Sequence, residues 1–386
     1  MKILHTSDWH IGRTFHQHST AEALGHVLDS LVEVVRQHGV DVVVVSGDIF
    51  DSATPSAPAV QELDRVLVAL SRAGARVVAT SGNHDSPARL GAKAAFTAEV
   101  GVHIRTRAEE HAQPVVITDE HGPVHFYAIP YLEPSLVRQH WPQRRLSNQA
   151  EVMEFAMDNV RDDLQSCGSP RSVVLAHTFV AGAEGASCDS ERAITAGGID
   201  RVPVPTFDGV TYAALGHIHR RNTLADHVRY SGAPLHLSFS EQDAPRGAWL
   251  VTLDGEGLHE VRWMDLPVPR RLTTLTGTLA DLLHDPQFDA HVDDWLRVRL
   301  SDSHRPLEPM RRLRERFSHC AVLEFAPTDP DRAGGAISSE ALAVLSDEEL
   351  MSMFLAHVRG GEGPSADEAA LLADVVSHVR AAEAGQ

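Results

Sequence analysis

Val42-Val43-Val44-Val45 is an uninterrupted β-branched run, and a strand that is apolar on both sides must be covered on both faces. A strand with one side in water would alternate instead. The run ends in Ser46-Gly47-Asp48-Ile49-Phe50-Asp51, so a glycine and then a carboxylate follow directly. The same grammar recurs along the chain. Ile3-Leu4-His5-Thr6 leads to Ser7-Asp8-Trp9-His10, and Val77-Val78-Ala79-Thr80 leads to Ser81-Gly82-Asn83-His84-Asp85. Val173-Val174-Leu175-Ala176 delivers His177, and Tyr212-Ala213-Ala214-Leu215 delivers Gly216-His217-Ile218-His219. Gly82 is expected to let the backbone turn sharply at the end of its strand.

Helical spacing fills the gaps between the first strands. Leu24, Val27, Leu28, Leu31, Val34 and Val35 predict a helix from about Thr20 to Gln37, closed by Gly39. Val60, Leu63, Val66, Leu67 and Leu70 predict a second. The first ninety residues therefore read strand–helix–strand–helix–strand, which implies a parallel, right-handed α/β arrangement. In such sheets ligands gather at the carboxyl ends of the strands, where Asp8, His10, Asp48, Asn83 and His84 all fall. Further on, Val115–Ile117 and His125–Ile129 flank Glu120-His121-Gly122 as hairpin strands, and a helix covers about Asn148 to Gln165.

Composition shifts after Pro267-Val268-Pro269, a plausible linker. Residues 1–266 are expected to form the main domain and residues 267–337 a small α/β domain. The small domain would hold strands at Leu296–Leu300 and Ala321–Phe325 and an Arg-rich helix from Pro309 to Phe317. Residues 338–386 carry two capping boxes, Ser346-x-x-Glu349 and Ser365-x-x-Glu368, and start two amphipathic helices separated by Gly360-Gly361. Those helices either pack on their own domain or dock another protein.

The hydrophobic content of 43% over 386 residues is that of a chain able to bury a sizeable core. No apolar run approaches the roughly 20 residues that span a bilayer. The start lacks the parts of a signal peptide. Three widely spaced cysteines, Cys167, Cys188 and Cys320, fit a reducing compartment better than a disulfide framework, so a cytoplasmic location is expected. The net charge of −19 argues against a free-standing DNA binder, because phosphate neutralisation supplies much of such affinity. Either the chain does not hold nucleic acid by itself, or it has local basic patches, or a partner contributes the grip.

Asp8, His10, Asp48, Asn83, His177, His217 and His219 are too many ligands for one tetrahedral ion. They suit two ions roughly 3.5–4 Å apart, with Asp48 as the shared carboxylate. Mixed carboxylate, imidazole and amide donors without thiolate favour Mn²⁺, Fe²⁺ or Zn²⁺ over Ca²⁺. Two anionic ligands against two divalent ions leave an electropositive site that attracts phosphate. Such a pair suits in-line attack of water on phosphorus, with His84 placed to stabilise or protonate the leaving oxygen. Asp51 or Asp85 could orient His84.

The ordered set Asp8-x-His10, Gly47-Asp48, Gly82-Asn83-His84-Asp85, His177 and Gly216-His217-x-His219 resembles the calcineurin-like metallophosphoesterases. The flanking text is narrower. His5–His10, Gly82–Leu90, Leu215–His219 and Tyr230–Glu241 resemble the bacterial SbcD nuclease subunits, kin of Mre11, strongly over residues 1–266. The resemblance implies a metallophosphoesterase β-sandwich flanked by helices, with a small α/β capping domain and C-terminal helices. Asp8, His10, Asp48 and His219 would hold one Mn²⁺, and Asp48, Asn83, His177 and His217 the other. His84 would be the catalytic histidine. The family forms a homodimer bound to the SbcC ATPase in a heterotetramer and cuts double-stranded DNA ends and hairpins. The tail helices would bind the base of the partner's coiled coil.

Where Mre11 relatives often carry His after the bridging-Asp motif, this chain has Asp51. Arg220, Arg221 and Arg89 are the expected contacts to the substrate backbone. The Arg311–Arg316 cluster reads rather as a solvated helix face. Two rivals stand beside this reading: a free-standing phosphodiesterase on nucleotides or small phosphoesters, and a non-catalytic scaffold for the ATPase.

Overall fold

The computed structural model describes residues 1–168, 171–183, 191, 201–327, 345–359 and 362–384. Cys188, Gly360-Gly361 and the expected 337/338 boundary lie outside the described residues. The chain divides into two compact units, Met1–Pro269 and Arg270–Gln386.

In the first unit the strands in chain order are β1 (Lys2–Thr6), a two-residue pair β2 (Thr14–Phe15) and β3 (His18–Ser19), β4 (Val42–Ser46), β5 (Arg76–Thr80) and β6 (Val102–Arg105). There follow β7 (Val115–Asp119), β8 (Gly122–Ile129), β9 (Ser172–His177), β10 (Tyr212–Gly216), β11 (Asn222–Ala225), β12 (Val228–Tyr230), β13 (Gly247–Leu253) and β14 (Leu258–Asp265). They build two six-stranded sheets, ordered β14-β13-β1-β4-β5-β6 and β11-β12-β10-β9-β8-β7. Strands β1, β4, β5 and β6 run parallel, as do β8, β9, β10 and β12. The antiparallel neighbours β13 and β7 flank these parallel cores.

Period-2 alternation explains why β4 is apolar throughout. Val42 and Val44 face the second sheet, packing in a layer with Phe126, Val173, Leu175 and Tyr212. Val43 and Val45 face the other way, toward the helices Ala21–His38 and Ala57–Arg72. Each valine gains about 1.5–3 kcal/mol from full burial, so this strand anchors three layers at once. The first helix buries Leu24, Val27, Leu28, Leu31, Val32 and Val35 and stops at Gly39, whose φ of 59° closes it in the left-handed form. The second starts at Ser56, whose hydroxyl accepts from Ala59 N–H, and carries Pro58 in its first turn. Helix Gln149–Cys167, capped by Asn148, covers the outer face of the second sheet with Val152, Met153, Ala156, Met157 and Val160. The result is a β-sandwich flanked by helices.

The second unit has three parallel strands, β15 (Leu272–Gly277), β16 (Trp295–Leu300) and β17 (Cys320–Phe325), in that order. Helices Leu279–His284 and Pro309–Arg316 pack on them through Leu279, Leu282, Leu313 and Phe317. The arginines of the second helix serve this unit. Arg311 pairs with Glu308 and Glu315, Arg314 donates to Cys320 O, and Arg316 donates to Leu282 O and Asp285 O. Helices Asp347–Val358 and Ala366–Ala384 follow, each with its Ser–Glu capping box formed. Arg359 clamps Glu368 with two bonds of 2.8 Å. Leu350, Phe354, Val358, Leu371, Val375 and Val379 remain exposed. Among the described residues no helix is long and apolar enough to cross a membrane.

One buried ion pair ties the far edge of the sandwich. Arg171, 2% exposed, grips Asp119 with bonds of 2.9 and 2.8 Å, and the N-terminal ammonium lies 3.1 Å from the same carboxylate. Arg171, then the His121 N–H and the ammonium, hold the Asp119 carboxyl well below the usual carboxylate range against its burial. Its contribution is therefore full above the unfolded value near pH 4 and is lost as pH falls toward the depressed folded value. Asp119→Ala should lower the unfolding free energy by about 3 kcal/mol at pH 7, because it leaves the buried Arg171 charge facing the carbonyls of Gly122 and Asp254 without a counter-charge. In urea titrations the gap from the parent protein should narrow below about pH 4; a gap that stays constant would refute the assignment.

Candidate metal centre

Five strand ends converge on one point between the sheets, and the backbone there is unusual. Among the described residues seven non-glycine residues have positive φ, and four of them are Asp8 (54°), His10 (46°), Asp48 (49°) and His217 (105°). Such conformations cost of order 1–3 kcal/mol each and persist only where the surroundings enforce them. Here the enforcement is a backbone lattice: Asp8 N–H donates to Gly47 O, His10 N–H to Asp48 O and Ile11 N–H to Ile49 O. The loops after β1 and β4 thus hold each other.

Three glycines let the loops touch. Gly47 has φ of 85°, and a Cβ there would lie 2.4 Å from His177 Nδ1. Gly216 faces Ser46 O at 2.0 Å by the same measure. Gly82, expected to supply a sharp turn, does not adopt positive φ. A Cβ on it would lie 2.1 Å from Asp48 Oδ1 and 2.3 Å from Asp48 N, so the glycine is required by close approach rather than by its own conformation.

The side chains form a continuous cluster around Asp48, which is 1% exposed. Asp48 Oδ2 lies 3.4 Å from His177 Nε2, 3.6 Å from His10 Nε2 and 3.9 Å from His84 Nε2. Asp48 Oδ1 accepts from His84 N–H at 2.9 Å. On one side His10 Nε2 meets His219 Nε2 at 3.1 Å, and Asp8, His10 and His219 can converge on one ion. On the other, His177 Nε2 meets Asn83 Oδ1 at 2.9 Å, the His217 ring stacks edge-on against His177, and Asp8, Asp48 and His177 can converge. His177 Nδ1 faces Ser46 O at 3.0 Å, so its N–H donates there and Nε2 is left for the centre.

A calcineurin-like phosphoesterase family model matches residues 1–221, more than half of the chain. The chain belongs to the calcineurin-like phosphoesterases. Residues 268–359 match the SbcD C-terminal family, described as type 5 capsule protein repressor C-terminal domain, and the two matches together make this an SbcD-like metallophosphoesterase. Solved structures similar to the chain include TT1561 of Thermus thermophilus, at 14% identity, covering 68% of this chain and 98% of that one with a TM-score of 0.40. Another is a dimetal phosphatase from Danio rerio, at 13% identity, covering 69% and 99% with a TM-score of 0.41. A third is GAP50, the anchor in the inner membrane complex of Plasmodium, at 10% identity, covering 85% and 98% with a TM-score of 0.40.

The metallophosphoesterase fold implies divalent ions, and the donor set fits them. Hard carboxylate and amide oxygens and borderline imidazole nitrogens face one another, with no thiolate among the described residues of the cluster. The charge states of the buried groups are mutually set. Burial and the nearby Asp48 charge push the Asp8 carboxyl up to about 6, against the pull of His177 and His10. Burial opposes ionisation of Asp48 as well, yet His177, His10 and His84 hold its carboxyl well below the usual range. Burial disfavours a charged His177, but Asp48 and Asp8 raise it to about 9. The His217 imidazole is driven down by burial and by His177. A dication would take over the role of the protons that this cluster otherwise shares.

His84 lies at the rim, 6% exposed, with Nδ1 2.9 Å from Asp51 O. The backbone carbonyl of Asp51 is thus its partner, while the Asp51 carboxylate stands 4.0 Å off and engages Arg13 at 2.9 Å and His10 Nδ1 at 3.3 Å. Asp85 accepts from Ile49, Phe50 and Gly82 N–H at 3.1, 2.8 and 2.9 Å, and so pins the two loops together. Arg220 donates to Ser240 O, Arg221 stacks over Trp263 at 4.8 Å, and Arg89 is exposed on the short helix Pro87–Leu90.

Residue typing alone did not point to Ser7, Ser231, Glu241 and Arg246. Ser7 Oγ donates to Asp8 Oδ2 at 2.5 Å and meets Ser231 Oγ at 2.8 Å. A separate group, His125, Asp163 and Cys167, lies along β8 and helix Gln149–Cys167, where Tyr127 O–H already donates to Asp163 at 2.6 Å. Gly82→Ala should melt far earlier than Gly39→Ala, whose cost is about 1–2 kcal/mol for a left-handed position with nothing near its Cβ. Comparable melting temperatures for the two variants would contradict the close-approach account.

Proposed function

We propose that this chain is the Mn²⁺-dependent nuclease subunit of an SbcCD-type complex. It would act as a 3′–5′ exonuclease on double-stranded DNA and as an endonuclease on hairpins, in DNA repair, replication and recombination. The observation that carries this is the joint presence of the Asp48-centred cluster and the SbcD-type C-terminal match. In this reading Asp8, His10, Asp48 and His219 hold one ion and Asp48, Asn83, His177 and His217 the other. When bound, the ions supply an activated water and charge stabilisation on the phosphoryl oxygens.

The chain's own residues do the rest. Asp48 Oδ1 fixes the His84 main chain through the 2.9 Å bond, and the Asp51 carbonyl fixes the ring by accepting a hydrogen bond from Nδ1–H. That leaves His84 Nε2 on the side of the cluster, where in its protonated form it can deliver a proton to the leaving oxygen. The second unit would cap the nuclease site and guide DNA. The exposed apolar residues of the two tail helices support a protein partner, an SbcC-type ATPase bound to a homodimer of this chain. Such a partner would supply the DNA grip that a net charge of −19 withholds. The setting would be cytoplasmic.

His84→Ala should keep both ions and lose about 10²–10⁴-fold in cleavage of an end-labelled hairpin. A variant that cuts at the parent rate would remove His84 from the mechanism. Asp48→Asn should weaken both ions together in a Mn²⁺ titration, whereas selective loss of one would show that Asp48 is not shared. Hairpin cleavage by the chain alone should be far weaker than with the ATPase and ATP. Absence of DNA cleavage in both cases, with turnover of a small phosphodiester, would overturn the substrate.

A further inference from the structure

Glu241 is fully buried, and so is its partner Arg246, at 0% and 2% exposure. A buried ion pair is weak evidence for stability, since an apolar pair of similar volume is often at least as stable. The arrangement around it has a direction. Glu241 Oε2 is held by Arg246 Nη2 at 2.9 Å and by Leu237 N–H at 3.1 Å. Oε1 is turned to His219 Nδ1 at 3.5 Å. Arg246 Nη1 donates to His219 O at 2.5 Å and to Ala233 O at 3.0 Å. His219 is therefore approached on its ring by the carboxylate and on its main chain by the guanidinium. Its other ring nitrogen, Nε2, points to His10 Nε2 at 3.1 Å, inside the cluster.

We propose that Glu241, anchored by Arg246, is a positioning residue that keeps the His219 proton on Nδ1 and turns the Nε2 lone pair toward a divalent ion. The inference rests on the reading of His219 as a ligand. A carboxylate behind a ligating imidazole fixes its tautomer and ring orientation, and losing it typically costs about 10–100-fold in metal affinity.

The test measures free Mn²⁺ by electron paramagnetic resonance as the intact, metal-stripped chain is titrated. Glu241→Gln should weaken one of two bound ions by about 10–100-fold and leave the other unchanged. Because that variant leaves the buried Arg246 charge facing backbone carbonyls without a counter-charge, the double variant Glu241→Gln with Arg246→Met is titrated beside it, each checked for fold by circular dichroism. The double variant should recover the parent melting temperature and still bind one ion weakly. Glu241→Asp should fall between. If the double variant binds both ions as the parent does, while His219→Ala loses one, the positioning role is overturned and the ligand assignment stands. If His219→Ala itself binds both ions normally, the ligand assignment fails first.

Discussion

The centre depends on the placement of one carboxylate. Asp48 sits in the left-handed region, its main chain touches the flat back of Gly82, one of its oxygens holds the His84 N–H and the other faces three imidazoles. Neither sheet could do this by itself. The parallel run β1-β4-β5 brings Asp8, His10, Asp48, Asn83 and His84, and the run β9-β10 brings His177, His217 and His219. The apolar layer between the sheets, with Val42 and Val44 against Val173, Leu175 and Ala214, sets the distance at which these two sets meet. Packing in that layer therefore tunes the chemistry at its edge.

The parts of this architecture that were legible in the sequence were those with a strong local cause. β-Branched runs bounded by glycine and polar residues gave β1, β4, β5, β9 and β10 to within a residue or so, and helical spacing, with Gly39 closing the first, fits the three long helices of the first unit. Strands β13 and β14 needed long-range information, because β13 joins the first sheet by pairing with β1 about 245 residues away and β14 is half exposed. At the centre, the Asp, Asn and His positions at strand ends could be read from spacing. The need for Gly82 could not, since it arises from Asp48, which is remote in sequence. Nor could the partners of His84 and His219, a backbone carbonyl and a buried glutamate, be chosen from residue types.

Charge is distributed to the same end. The buried cluster concentrates two carboxylates and several imidazoles where water is excluded, so each proton position is dictated by its neighbours rather than by solvent. Several cationic side chains nearby are occupied elsewhere. Arg13 holds Asp51, Arg246 holds Glu241, and Arg220 and Arg221 are tied to Ser240 and Trp263. Divalent ions bound in such a centre would add to its attraction for a phosphate.

The loops that carry the cluster are far apart in the chain: His217 N–H donates to Asp8, 209 residues away, and His177 meets Asn83, 94 residues away. Contacts of that span form only after both sheets are built and docked, because each closes a long loop. A chain still on the ribosome, or one in which the second sheet has come loose, has these side chains scattered and no assembled centre. Hydrolytic power is thereby reserved for molecules that have finished folding. The ions, once bound, favour that finished state by mass action.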